Sequence, residues 1–119
     1  MDAIDEDEAR ALSTSWVGMR LGIDPVRVNA MRRAGELFAV RRPGSQEWRY
    51  PAWQFGPGWK PLPFVESVVK AAREAGLDER RLHELLNRRV GMVGESRRLL
   101  DLLLEGDEER VLAEIRRGS

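Results

Sequence analysis

The chain has 119 residues, 42% of them apolar, no cysteine and one histidine. That length suits one compact domain, or two very small ones sharing a core. Without cysteine there is no disulfide, thiolate metal site or cysteine nucleophile, and one histidine cannot build a histidine-rich site. The formal net charge is zero, but the charge is unevenly spread: residues 1–10 hold five acids against one arginine. Residues 11–50 hold seven arginines against three acids, and the remainder is balanced at twelve of each sign. A positive excess confined to forty residues is the asymmetry expected of a basic nucleic-acid-contacting face. The acidic start lacks an apolar core segment and reads as a tail rather than a signal peptide. No apolar run approaches membrane-spanning length, so no membrane partner is expected and the cytoplasm, at the nucleoid, is the expected location.

In chain order, residues 1–12 read as a disordered acidic tail. Ser13, Thr14 and Ser15 offer N-caps for a short helix, Trp16–Leu21, which Gly22 ends. Asp24-Pro25 then starts a second helix, Pro25–Ala34, with Gly35 as its stop. Val28 and Met31, with Val26 and Ala30, form its apolar face, leaving Arg27, Asn29, Arg32 and Arg33 largely off it. LFAVRR and EWRY are β-prone runs separated by a Pro43-Gly44-Ser45-Gln46 turn. The segment PAWQFGPGWKPLP is too aromatic for a flexible linker and reads as an ordered connector. Beyond it the pattern is helical. Pro63–Ala75 carries an apolar stripe, Asp78 caps a helix bearing Leu82, Leu85 and Leu86, and GMVG breaks the chain. Glu95–Glu105 holds the run LLDLLL, and Asp107 caps a last helix with Val111, Leu112 and Ile115.

The expected fold is therefore mainly α: a winged helix-turn-helix with a short two-stranded wing, followed by a C-terminal helical bundle. The expected units are a tail at 1–12, a DNA-binding region at 13–55, a connector at 56–62 and a helical association region at 63–119. In such a fold the second helix enters the major groove, where arginine reads guanine and asparagine reads adenine. This assigns Arg27, Asn29, Arg32 and Arg33 to DNA, with Arg41, Arg42 and Arg49 on the wing. The leucine run is apolar around most of its helix. Leu99, Leu100, Leu103, Leu104, Val111 and Leu112 are therefore assigned to a partner or dimer face. The four tryptophans and Phe55 read as core rather than as base-stacking platforms, and His83 as part of a charged helix face. No catalytic constellation, metal set or cofactor motif is present, and the chain is not expected to be an enzyme.

The stretch LGIDPVRVNAMRRAGELFAVRRPGSQEWRYPAWQF resembles the winged helix of the MerR-like superfamily. The tail SRRLLDLLLEGDEERVLAEIRRG is similar to that of small Xre/MbcA/ParS-type antitoxins, with Gly94, Leu99, Leu100, Leu103, Gly106, Val111, Leu112 and Ala113 at the matching positions. The resemblance implies a sequence-specific transcriptional regulator that binds double-stranded DNA, binds a toxin protein and autoregulates its operon; the leucine-rich tail, as an apolar seam, adds the expectation of a homodimer. The alternatives are a DNA-architectural or excisionase-like factor, or a protein-binding adaptor without DNA binding.

Overall fold

A computed structural model describes residues 11–90 and 97–118. Most of the acidic tail, the GMVG break and Gly94 lie outside the described residues. The order is β1 (Leu12–Ser13), α1 (Thr14–Leu21), α2 (Pro25–Arg33), β2 (Val40–Arg41) and β3 (Trp48–Tyr50). Two 3-10 turns follow, Ala52–Gln54 and Pro57–Trp59. Then come α3 (Phe64–Glu74), α4 (Glu79–Leu86), α5 (Leu99–Leu104) and α6 (Glu108–Arg116). The chain is thus mainly helical with one small antiparallel sheet.

The start signals act as their chemistry requires. Ser13 Oγ accepts from the Trp16 N–H at 3.1 Å, and Asp24 Oδ1 from the Arg27 N–H at 2.9 Å. Asp78 Oδ1 likewise accepts from the Arg81 N–H at 2.9 Å. At the end of α2 the Gly35 N–H bonds to the Arg32 carbonyl and the Glu36 N–H to that of Met31, a Schellman closure. The turn between α1 and α2 depends on two glycines. Gly22 takes the left-handed conformation at φ 73°, as the sequence suggests. Gly18 contributes through close approach: a Cβ there would stand 2.8 Å from the Ile23 carbonyl oxygen and 3.4 Å from Val28. Gly18→Ala is therefore expected to lose about 1–2 kcal/mol despite its better helix propensity, because overpacking against backbone outweighs that gain. Thermal unfolding followed by tryptophan fluorescence measures it; an equal or raised midpoint would contradict the packing.

The sheet has three strands, in the order β1-β3-β2, where the sequence suggests two. Leu12 pairs with Tyr50 and Ser13 with Arg49, while Val40 pairs with Arg49 and Arg41 with Trp48. β1 takes its first residue from the end of the expected tail; two residues are too few to show a period. Between α2 and β2 the run Leu37–Phe38–Ala39–Val40 alternates between two cores. Leu37 and Ala39 join Val17, Val28 and Tyr50, and Phe38 and Val40 join the C-terminal helices. This run is the shared wall of the molecule. Gln54, fully buried, pins it: its Oε1 accepts from the Phe38 N–H at 2.8 Å, and its Nε2 donates to the Phe38 carbonyl at 2.7 Å and the Pro51 carbonyl at 3.0 Å.

In the C-terminal half α3 packs on α6, and α6 on α5. Leu99, Leu100, Leu103 and Val111 are at most 1% exposed, which corrects their assignment to a partner face. They lie inside the core of this one chain, because the short α5 is enclosed by its neighbours. Of that group only Leu104 is exposed and Leu112 half-buried. α5 also starts later than the expected Glu95. Arg98 is held extended in a bridge with Arg89, so its backbone cannot yet be helical. The Arg98 N–H donates to Asp101 Oδ2 at 2.8 Å. Burial alone would raise the Asp101 pKa, but the backbone and guanidinium of Arg98, with Arg97 beside them, hold it below its usual value. His83 is buried on the ring of Phe38, centroids 6.4 Å apart, and not on the charged face of α4 as expected.

Candidate nucleic-acid interface

α2 carries no acid in its first turn and ends on Arg32 and Arg33. Two basic residues there also suit the negative end of the helix dipole. Arg27 and Arg33 are exposed and Asn29 is half-buried. Val26, expected on the apolar face with Val28, is instead 74% exposed, whereas Val28 is fully buried. Residues two positions apart on a helix are turned by about 200°, so the two valines cannot share a face.

The turn between β2 and β3 is closed by the Ser45 N–H donating to the Arg42 carbonyl at 3.0 Å. Pro43 and Gly44 are its central residues, and Gly44 supplies the positive φ, 80°. Arg41 and Arg42 are exposed on this hairpin. Arg49 is paired with Glu47 at 3.1 Å, which offsets part of its charge.

Trp48 brings the two basic elements together. The Arg32 guanidinium of α2 lies 4.0 Å from the centre of its ring and the Arg41 guanidinium of β2 lies 4.7 Å from it. Such cation–π contacts orient long side chains that would otherwise be free to rotate. Arg41 Nη1 also donates to Gln46 Oε1 at 3.2 Å, and Arg32 Nη2 donates weakly to Asn29 Oδ1 at 3.4 Å. An open groove of about 430 Å³ lies beside the hairpin, lined by Arg41, Arg42, Gly44, Trp48, Glu79 and Arg80.

Two arginines that the sequence pattern does not single out brace this surface from behind. Arg73 of α3 donates to the carbonyls of Arg33 at 3.0 Å and Arg32 at 3.1 Å, closing the end of α2. Arg80 of α4 donates to the Arg41 carbonyl at 2.8 Å and ties the hairpin to the helical half. Their partners are backbone atoms some forty residues away, which no local pattern announces. A third arginine, Arg20 of α1, lies 4.2 Å from the Trp16 ring centre and 5.2 Å from that of Trp59. Three of the four tryptophans thus hold arginines; of the expected core aromatics, Trp53 packs against the C-terminal core and Trp48 and Phe55 against the N-terminal one. Among the described residues no cluster of histidine and carboxylate side chains could hold a metal ion.

Of the expected DNA residues, Arg32 and Arg41 meet at one ring, Arg49 is ion-paired and shares the opposite face of the sheet with Val40, and Arg27 and Arg33 are exposed. The class defined by these elements is a mainly helical protein with a small three-stranded antiparallel sheet. The fold is similar to the NMR structure of Rv2175c, with a TM-score of 0.75 and 20% identity over 98% of this chain and 85% of that one. At that identity the likeness is one of fold. No protein-family model and no curated protein matches the sequence. Among the described residues no helix is long and apolar enough to cross a membrane.

Proposed function

We propose that residues 12–50 form a winged helix-turn-helix that binds double-stranded DNA and serves a transcriptional regulator. In this reading α2 lies in the major groove and the β2–β3 hairpin is the wing on the phosphate backbone. The observation that carries it is the stacking of Arg32 and Arg41 on Trp48. One ring aligns a cation from the groove-entering helix with a cation from the wing. The clustering of positive charge within residues 11–50 supports the same surface.

The test is a salt titration of binding to a duplex from the gene's own promoter. Arg41→Ala with Arg42→Ala is expected to weaken binding to all sequences and to flatten the log–log salt slope by about 0.9 for each phosphate no longer neutralised. An unchanged slope would remove the wing from the interface, and salt-independent binding by the parent chain would remove the DNA reading.

A further inference from the structure

Val26 is the most exposed large apolar side chain among the described residues, at 74%, ahead of Met19 at 70% and Leu104 at 46%. Its position is fixed. Asp24 caps α2 through the Arg27 N–H and Pro25 occupies the first turn, so Val26 stands at the entry of the helix. At about 100° per residue, Val26, Asn29, Ala30 and Arg33 fall on one stripe, at spacings of three, four and seven. Val28 and Met31 lie on the other side; Val28 is fully buried and Met31 packs on the same N-terminal core. The outward stripe thus presents, in order, an exposed isopropyl group, a half-buried carboxamide, a half-buried methyl group and an exposed guanidinium.

That order of chemistry matches a base edge better than it matches phosphate. A phosphate-binding stripe needs donors only, and an isopropyl group has none to offer. In the major groove the adenine–thymine pair displays an acceptor and a donor on adenine, and the apolar 5-methyl group on thymine. A carboxamide one turn from an isopropyl group offers a partner for each. We infer that Val26 is a specificity-determining residue that packs on the 5-methyl group of a thymine, beside an adenine contact from Asn29. The inference rests on the DNA-binding reading above. It assigns to α2 a preference for an adenine–thymine pair at the position met by its first turn.

The experiment uses the full chain and duplexes enriched by it from a random library. Each thymine of an enriched duplex is replaced in turn by deoxyuridine, which lacks only the methyl group, and binding is followed by fluorescence anisotropy. The parent chain is expected to lose about fourfold in affinity at one thymine, the worth of one buried methyl-sized group. Val26→Ala, a change at an exposed helical position that leaves the core untouched, is expected to bind the thymine duplex weaker by a similar factor. It should then show no further loss on deoxyuridine. If Val26→Ala remains as sensitive to the methyl group as the parent, or if no thymine of the parent's duplexes is sensitive, the assignment of Val26 is overturned while DNA binding stands. If the parent enriches no duplex at all, the DNA reading falls and Val26 with it.

Discussion

Replacing Gln54 with leucine is expected to destabilise the chain by about 3–5 kcal/mol, since it leaves three buried backbone groups without partners. The side-chain amide is fully buried and lies against Phe38 as a neighbouring strand would, one acceptor to the N–H at 2.8 Å and one donor to the carbonyl at 2.7 Å. Its second donor reaches the Pro51 carbonyl at 3.0 Å. Leucine has nearly the same volume and would fill the space, so the loss isolates the hydrogen bonds from the packing. The cost of an unmade bond in a dry site exceeds the modest net worth of a made one. Asparagine keeps the amide but is one methylene short, so it is expected to recover little. Urea unfolding checks this: the midpoint should fall with an unchanged slope. A loss below about 1 kcal/mol would mean that water or a shifted backbone satisfies Phe38.

Much of this architecture is legible where the signal is local. The Asp24-Pro25 start of α2 and the Asp78 cap of α4 are side-chain chemistry acting within three residues, and both are present. The Pro43-Gly44 turn is equally local. What escapes the sequence depends on distant partners. β1 is two residues long and exists through Tyr50 and Arg49. His83 sits among charged neighbours in sequence, yet packs on Phe38. The candidate surface follows the same division. Charge clustering picks out the arginines of α2 and the hairpin but not their common ring, because Trp48 meets Arg32 across sixteen positions of chain. For Val26 the residue type misleads. An apolar side chain suggests an inward position, although its angle from Val28 on the helix points it outward.

The leucine run misleads for a related reason, and its correction yields the second large effect. Leu103→Arg is expected to unfold the whole chain rather than to separate an assembly from a folded monomer. Leu103 is 1% exposed in a cluster that includes Leu99, Leu100, Val111 and Ile115. Truncating a buried leucine costs about 2–5 kcal/mol, and placing an unpaired guanidinium in the same space costs more. Domains of this size have about 5–15 kcal/mol in total, so little folded protein should remain. Leu104→Arg is the matched control. At 46% exposure the new charge reaches water, and stability should change by no more than about 0.5 kcal/mol. The paired variants also test whether the two cores are one cooperative unit. Trp16, Trp48 and Trp59 lie outside the C-terminal core and Trp53 packs against it beside Phe64, so fluorescence reports mainly the N-terminal half, with Trp53 sensing the junction, while far-ultraviolet dichroism is weighted toward the helices beyond residue 63. Phe38 and Val40 belong to the C-terminal core, and Arg73 and Arg80 bond back to the N-terminal backbone. Damage at Leu103 should therefore abolish both signals together. A native-like fluorescence transition surviving in Leu103→Arg would show that the sheet and first two helices fold without the helical half, and would return α5 to the role of a detachable element.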